Sequence, residues 1–138
     1  MRFSKQGSES KGFANIEDWY SSETGQYLLG ELGARLNPML ATTFGYYSLQ
    51  LGCAGLSAQL QKACRVKHQF TLGEEDAAAQ IHASPSMLPI ASDSVDLVIL
   101  MHHLSNTSEP HAILREVFRI LIPEGKLVII DFNPISMW

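Results

Sequence analysis

Apolar residues form the clearest pattern in the second half of the chain, over residues 88–131. Two short apolar runs, at residues 95–100 and 127–130, are rich in β-branched side chains. Because both faces of such runs are apolar, they are typical of parallel strands that are covered by helices on each side. We therefore predict two parallel strands in this part of the chain.

The residues between these two strands have the spacing of an amphipathic helix. Apolar side chains recur every three or four positions, at Ile113, Leu114, Val117, Phe118 and Leu121. Pro110 suits the first turn of a helix, and residues 106–108 supply candidates for its N-cap. Pro123 and Gly125 are expected to end the helix and turn the chain back. The unit is thus predicted to be a right-handed strand, helix, strand crossover.

A second helical pattern occupies the N-terminal part of the chain. It begins at Ile16, and its apolar positions are Trp19, Tyr20, Leu28, Leu29, Leu32 and Leu36. The segment is expected to end near Pro38, and its glycines make its formation depend on packing more than on helix propensity. Such a segment can cover a face of the sheet or lie against a ligand, and the covering role is favoured.

Residues 44–51 predict the first strand, because they are rich in strand-forming aromatic residues. The small residues of the turn 52–55 follow at once, and a short helix is indicated over residues 56–64. A strand, a small-residue turn and a helix form the frame in which nucleotide-type ligands meet a helix N-terminus. The same turn also lets a strand and a helix approach closely, so the turn alone leaves both interpretations open.

Two further strands are predicted at residues 68–72 and around residues 80–83. Gly73 and a brief acidic stretch separate them, with room for a helical turn or two. The resulting order of β, α, β, (α), β, β, α, β indicates the α/β class with a mostly parallel sheet.

A chain of 138 residues has the size of one domain with its own core. Within this domain we expect residues 1–13 to be disordered, residues 14–43 to form a helical cover and residues 44–138 to form the α/β core. Apolar residues make up 46% of the chain and charged residues 17%, which is the balance of an ordered protein.

Charge and composition argue against several kinds of partner. The net charge of −4, with scattered Lys and Arg, gives no footprint for a phosphate backbone, so nucleic acid is not expected. No run approaches the ~20 apolar residues of a membrane helix, and the N-terminus lacks the apolar part of a secretory signal. Cys53 and Cys64 lack zinc-ligand spacing and fit reduced thiols. The sequence therefore predicts a cytoplasmic protein without membrane, nucleic-acid or metal partners.

The motifs placed so far resemble those of the class I S-adenosylmethionine-dependent methyltransferases. The resemblance covers residues 46–133 and rests on the turn at Gly52, the LPI segment at Leu88, the VDLVIL strand, the HHL segment at His102 and the PEGKL turn. A second pattern, W…TG.YLL…FGY..LQLG, begins at Trp19 and resembles that of small bacterial methyltransferases. The resemblance implies a three-layer Rossmann-like fold of about five strands in the order 3-2-1-4-5. It also implies S-adenosylmethionine as cofactor and S-adenosylhomocysteine as product.

The resemblance further implies which residues meet the cofactor, across the carboxyl ends of the first, second and fourth strands. The candidates are Gly52, Cys53, Ala54, Glu74, Ser84, Met87, Leu88, Met101 and His102. Gly52 lies beside the methionine end of the cofactor, Leu88 beside the adenine, and His102 beside the methyl-transfer space. A bulky residue in place of Gly52 is expected to abolish cofactor binding and leave the fold intact. The reaction implied is direct displacement onto a small-molecule acceptor, with the protein supplying alignment.

Several positions depart from the pattern of the family. Gln50 stands where an acidic residue usually precedes the turn, and the second and third glycines of the turn are replaced. No acid ends the second strand in register, where the family grips the ribose hydroxyls, so Glu74, or Glu75 beside it, is the candidate substitute. Ser84 replaces the Asp that contacts the adenine amino group. The loss of one charge-assisted contact costs about 1.5–3 kcal/mol, or one to two decades in affinity.

His102 is the candidate for a catalytic role, because a histidine can take a proton from an attacking group near neutral pH. Adjacent residues that leave a strand point to opposite sides, so His102 and His103 cannot both face the cleft. The alternative is that one satisfies backbone groups and the other packs, since methyl transfer often needs only positioning. Both interpretations stay open at this stage.

The chain ends soon after the fifth strand, where class I enzymes normally add two more strands. The open edge at Val128 and Ile130 predicts a C-terminally truncated fold, so that either the sequence is a fragment or a second copy covers this edge as a homodimer. Two functions are therefore considered. The Gly52 turn and the HHL segment favour a small-molecule methyltransferase, whereas the missing acidic anchors favour a degenerate, non-catalytic domain with a structural or interaction role.

Overall fold

The structure is a computed structural model that describes residues 16–131, except for the side chain of Asn106. The expectation of disorder over residues 1–13 falls outside the described residues. The helices are α1 (Ile16–Tyr20), α2 (Glu23–Ala41), α3 (Ser57–Leu60) and α4 (Pro110–Ile120), with 3-10 turns at Ala54–Leu56 and Leu104–Asn106. The strands are β1 (Phe44–Leu51), β2 (Arg65–Leu72), β3 (Val95–Met101) and β4 (Leu121–Ile130).

The four strands form one sheet in the order β2-β1-β3-β4, and every neighbouring pair is parallel. Leu49 at the centre of β1 is flanked by Phe70 of β2 and Val98 of β3. In the numbering of the sequence prediction, these are the second, first, fourth and fifth strands. The predicted α/β fold and strand order are therefore confirmed for these four strands.

The third predicted strand, around residues 80–83, is not formed. Only Ile81 joins the sheet, through a single parallel bridge to Leu72. Beside this bridge, Thr71 and Gln80 exchange side-chain hydrogen bonds with each other's backbone. Thr71 N–H donates to Gln80 Oε1 at 3.2 Å, and Gln80 N–H donates to Thr71 Oγ1 at 2.9 Å. Side chains thus take up backbone groups that a ladder would use, and the sheet has fewer strands than predicted.

The predicted crossover is present as β3, α4 and β4, but its return differs from the prediction. Helix α4 ends at Ile120 and β4 begins at the next residue, without an intervening turn. Leu121 pairs with Val95 and Lys126 pairs with Leu97, so residues 122–125 form an irregularity within the strand. Pro123 and Gly125 therefore lie where the hydrogen-bond ladder between β3 and β4 is interrupted.

The N-terminal helical pattern is divided into two helices. Ser22 caps α2 by accepting a hydrogen bond from Gly25 N–H at 3.1 Å. An ideal Cβ on Gly25 would lie 2.2 Å from the Trp19 carbonyl oxygen, so glycine permits the tight corner between α1 and α2. Helix α2 then extends past Pro38 to Ala41, which is later than the sequence predicted.

Two apolar clusters pack on opposite faces of the sheet. Val98 and Leu100 of β3 join the side chains of α4 on one face, whereas Leu97, Ile99 and Met101 join those of α1, α2 and α3 on the other. Alternate residues of β3 therefore enter different layers, as expected for a strand covered on both sides. The covering role predicted for the N-terminal helical segment is consistent with this arrangement.

Candidate functional site at the carboxyl ends of β1 and β3

The carboxyl ends of β1 and β3 meet where the connections of the chain diverge. Strand β1 leads through α3 to β2 on one side, and β3 leads through α4 to β4 on the other. In open parallel sheets, such a switch point leaves a crevice in which ligands bind. Gly52 and His102, which follow the two strands directly, therefore mark the centre of the candidate site.

Gly52 allows the two strand ends to touch. Its φ angle is +92°, and an ideal Cβ would lie 2.3 Å from the Met101 carbonyl oxygen. L side chains rarely adopt this backbone conformation, and the neighbour is backbone that cannot rotate away. Glycine is thus required by the fold itself, and the expectation that a bulky residue at Gly52 would leave the fold intact is wrong.

Gln50 supports the turn from beneath. Its side chain is fully buried, and Nε2 donates to the carbonyl oxygens of Gly52 at 3.0 Å and Cys53 at 2.9 Å. Gln61 Nε2 donates to Gln50 Oε1 at 3.1 Å, and the Ser48 hydroxyl donates to Gln61 Oε1 at 3.0 Å. The amide at the position where an acid was expected therefore fixes the shape of the turn.

Two carboxylates reach the turn from other parts of the chain. Asp76 Oδ2 accepts from Ala54 N–H at 3.0 Å, and Glu17 Oε2 accepts from Gly55 N–H at 3.1 Å. Burial raises the pKa of Glu17, although its bond to Gly55 acts in the opposite direction. Neither acid was predicted from the sequence. The acidic stretch after β2 was a signal for Asp76, but nothing in α1 indicated Glu17. Glu74, the predicted substitute, is exposed.

Cys53 lies within the turn and is buried. Its φ angle is 52°, and 6% of the residue is exposed. Burial, followed by the carboxylates of Glu17 and Asp76, raises the pKa of the Cys53 thiol to about 12. A thiol that stays protonated is a poor nucleophile, so a packing role is favoured for Cys53.

His102 links α1 to the end of β4. The Tyr20 hydroxyl lies 2.7 Å from Nε2 of His102, and Asp131 Oδ1 lies 3.6 Å from Nδ1. Asp131 also accepts from the Ser105 hydroxyl at 2.6 Å. Because His102 is 6% exposed, burial lowers its pKa and outweighs the opposing effect of Asp131. A neutral ring with its proton on Nδ1 suits both neighbours, since Nε2 can then accept from Tyr20.

The burial of His102 predicts a loss of stability in mild acid. An unfolded histidine takes up a proton near pH 6.5, whereas the folded protein does so only at lower pH. The unfolded chain therefore binds more protons in this window, and the free energy of unfolding should fall as the pH drops below about 6.5, by at most about 1.4 kcal/mol per pH unit. Urea unfolding between pH 5 and pH 8 measures this slope.

The matched variants are His102→Gln and His111→Gln, because His111 is exposed on α4. His102→Gln should flatten the dependence on pH, and His111→Gln should leave it unchanged. An equal slope in wild type and His102→Gln would contradict the assignment.

Comparison with known proteins decides the family. Residues 40–129 match the family model described as "Methyltransferase domain", and this range contains both strand ends of the candidate site. The chain belongs to the class I S-adenosylmethionine-dependent methyltransferases.

The chain is similar to two curated proteins and has the fold of a solved methyltransferase structure. YafS of Escherichia coli (strain K12), described as uncharacterised, is 39% identical over 119 residues, which are 86% of this chain and 49% of YafS. The demethylmenaquinone methyltransferase of Clavibacter sepedonicus is 37% identical over 104 residues, 73% of this chain and 42% of that protein. The trans-methyltransferase CalH, solved with SAH, has a TM-score of 0.57 at 16% identity, covering 91% of this chain and 41% of its own. The chain thus spans less than half the length of each.

The candidates that the resemblance assigns to the region of the adenine lie on the long connection between β2 and β3. Met87 is 77% exposed, whereas Leu88 is 5% exposed and packs in the α4 cluster. Ser84 Oγ lies 2.9 Å from Ser86 Oγ within a local turn. The structure therefore brings Gly52, Cys53, Ala54, Met101 and His102 together at the strand ends, and places Ser84, Met87 and Leu88 on a separate segment.

Glu116 and Arg119 of α4 hold this separate segment. Glu116 Oε1 accepts from Leu88 N–H at 2.9 Å, and Arg119 Nη2 donates to the Leu88 carbonyl oxygen at 3.0 Å. Arg119 Nη1 also donates to Ser92 Oγ at 3.1 Å. Glu116 and Arg119 have the i,i+3 spacing of an ordinary ion pair on a helix surface, so the sequence does not indicate their contacts with Leu88 and Ser92.

The described residues also bear on the predictions about metal and membrane partners. Among residues 16–131, no group of three or more His, Cys, Asp or Glu side chains is arranged to hold a metal ion. No helix in the described part of the chain is long and apolar enough to cross a membrane.

Proposed function

We propose that the chain binds S-adenosylmethionine across the carboxyl ends of β1 and β3 and transfers its methyl group to a small-molecule acceptor. The observation that carries this proposal is the Gly52 turn at the switch point of the sheet, with the Asp76 carboxylate beside it. Asp76 Oδ2 accepts a hydrogen bond from Ala54 N–H of the turn at 3.0 Å. A carboxylate suits the hydroxyl and ammonium groups of this cofactor, and its positive charge. The side chains present therefore fit the group.

Asp76 is the acid that we propose for cofactor binding in place of Glu74. Glu74 is exposed, whereas Asp76 is half-buried and already faces the turn. The connection between β2 and β3 brings Asp76 back towards β1, which compensates for the missing acid at the end of β2. In this proposal, the chain keeps an acid for the cofactor but carries it later in the sequence than the family pattern does.

The residues of this chain serve alignment in the proposed reaction. When bound, the cofactor supplies a sulfonium methyl group, which the nucleophilic atom of the acceptor takes by direct displacement while the carbon–sulfur electrons return to sulfur. Gly52 and Gln50 give the turn its shape, and Asp76 holds the cofactor in place. His102 contacts Tyr20 and Asp131 in the folded chain, so we assign it a positioning role and not that of a general base.

Calorimetry with S-adenosylmethionine and S-adenosylhomocysteine tests the proposal. We expect wild type to bind with a Kd below about 1 mM. Asp76→Ala should weaken binding roughly tenfold or more, because it removes a charge-assisted contact. Glu74→Ala, which removes a neighbouring exposed acid, should bind like wild type. No binding by wild type would overturn the proposal and favour the non-catalytic domain, and equal effects of the two substitutions would overturn the role of Asp76.

The acceptor is proposed to be a small molecule, and quinones in their reduced, quinol form are the first compounds to test. The reason is that two of the relatives at 37–39% identity are demethylmenaquinone methyltransferases. Release of S-adenosylhomocysteine in the presence of a quinol is the measurement.

The outer edge of β4 is proposed to be covered by a further strand. Within the described residues, β4 pairs only with β3, and Ile129 is 48% exposed. A second copy of the chain, or further residues of a longer one, would satisfy the unpaired backbone groups of this edge. Light scattering distinguishes a dimer from a monomer.

A further inference from the structure

Helix α1 packs against the residues that are proposed to face the cofactor. Of the residues at the strand ends, Met101 is 1% exposed, Ala54 is 5% exposed, and Cys53 and His102 are each 6% exposed. Tyr20, at the end of α1, is fully buried and packs in the same cluster as Cys53 and Met101. A ligand cannot contact these side chains unless a part of the protein moves.

Two side-chain contacts join α1 to the ends of the strands. In its first turn, Glu17 Oε2 accepts from Gly55 N–H at 3.1 Å. At its last residue, the Tyr20 hydroxyl lies 2.7 Å from Nε2 of His102, with the two ring centroids 5.6 Å apart. Both contacts join α1 to residues that follow β1 and β3, so they act on the same edge of the sheet.

The short length of α1 makes its position depend on contacts with the rest of the chain. The helix has five residues, far fewer than the ~12–15 that an isolated helix needs to be even marginally stable in water. Its stability therefore comes from tertiary contacts, and short elements of this kind open at low free energy. The end of α1 is also joined to α2, because Gln26 Nε2 donates to the Tyr20 carbonyl oxygen at 2.8 Å, so α2 provides a fixed hinge about which α1 would move.

Two open grooves in the described part of the chain lie away from these residues. One, of about 250 Å³, is on the sheet face beside Tyr47, Phe70 and Ile90. Another, of about 320 Å³, lies between α2 and α3 beside Gly33 and Gln59. Neither is lined by Cys53, Met101 or His102.

We propose that α1 is a gate over the cofactor edge, closed in the free protein by the Glu17 contact to Gly55 and the Tyr20 contact to His102. The inference rests on the proposed function, and it adds that S-adenosylmethionine reaches the buried side chains of Met101 and His102 only after these two contacts break. Because only the open form binds, the closed contacts reduce the apparent affinity in proportion to the population of the open form. Loosening the gate should therefore speed binding, and should strengthen it.

Trp19 gives a direct signal for the movement of α1. Its ring lies edge-on to that of Tyr20, with centroids 5.0 Å apart. The chain has two tryptophans, so a Trp138→Phe background leaves Trp19 as the sole tryptophan. Stopped-flow fluorescence in this background follows α1 while S-adenosylhomocysteine, the probe, is mixed with the protein.

Tyr20→Phe removes the hydroxyl contact to His102 and keeps the ring. Loss of one hydrogen bond from the closed form should raise the apparent association rate roughly twofold to tenfold. Glu17→Ala should act in the same direction, and Glu17→Gln should stay close to wild type because an amide oxygen can still accept from Gly55. Tyr27→Phe is the matched control, since Tyr27 is a 71% exposed tyrosine on α2.

Three outcomes separate the gate from other arrangements. Faster binding by Tyr20→Phe and Glu17→Ala, with Tyr27→Phe unchanged, supports the gate. Unchanged or slower association in Tyr20→Phe overturns it, and weaker binding would show that α1 is a fixed wall that contacts the bound cofactor. Failure of the proposed function has a different signature, because calorimetry would then detect no binding by wild type or by either gate variant.

Discussion

Gly52→Ala is expected to lower the free energy of unfolding by about 2–6 kcal/mol. Part of this loss is backbone strain, because alanine must adopt a φ near +92°, which costs about 1–3 kcal/mol. The remainder is overpacking, since the added methyl group would meet the Met101 carbonyl oxygen at 2.3 Å, and contacts of this kind cost about 1–3 kcal/mol. Urea or thermal unfolding measures the change.

Gly30→Ala provides the matched control for Gly52→Ala. Gly30 lies within α2, and an ideal Cβ there has no atom within 4 Å. Alanine is the better helix former, so this substitution should stabilise the protein by about 0.5–1 kcal/mol. If Gly52→Ala proved as stable as Gly30→Ala, the close contact of the two strand ends would be refuted.

Gln50→Glu is expected to destabilise the protein by about 3 kcal/mol or more at pH 8, although the two side chains have the same shape. Gln50 is fully buried, and its amide donates to the carbonyl oxygens of Gly52 and Cys53. A carboxylate at this position has no hydrogen to donate. Its negatively charged oxygens would instead face the two carbonyl oxygens, which are also acceptors. Buried groups that lose their hydrogen bonds cost about 1–3 kcal/mol each, and charged groups cost more.

The defect of Gln50→Glu should depend on pH in a defined direction. Burial raises the pKa of a carboxyl group above its unfolded value of about 4.3. In the folded variant the introduced carboxyl group would then keep a proton that the unfolded chain has released, so stability should fall as the pH rises above about 4.3 and recover in acid. Gln59→Glu, at an exposed position on α3, should show no such dependence. A matching pH profile in the two variants would contradict this account of Gln50.

The second half of the fold could be predicted because its information is local. The apolar runs of β3 and β4 and the helical spacing of α4 lie within one stretch, and each signal is read from neighbouring residues. Local signals gave a wrong prediction for the strand around residues 80–83, where side-chain hydrogen bonds replace backbone pairing. Around Ile81, the reciprocal bonds between Thr71 and Gln80 occupy backbone groups, and no periodicity in the sequence announces such an exchange.

The candidate site was only partly predictable because its contacts join distant segments. The turn and the HHL segment were found from motifs, and the structure brings Gly52 and His102 to the same edge. The contact between Tyr20 and His102 spans 82 positions, and that between Glu17 and Gly55 spans 38. Spacing rules describe single helices and strands, so they cannot show that α1 would return to the strand ends.

The position of β1 at the centre of the sheet has a consequence for how fast the chain folds. Leu49 pairs with Phe70, about 20 positions later, and with Val98, about 50 positions later. The first pairing closes a short loop, whereas the second must bring together segments on either side of the whole β2 region, at a larger cost in chain entropy. During synthesis, β1 and β2 leave the ribosome and can join before β3 exists. We therefore expect the docking of β3 to be the slow step of folding. Until β3 docks, the edge of β1 that faces it would have unpaired backbone groups.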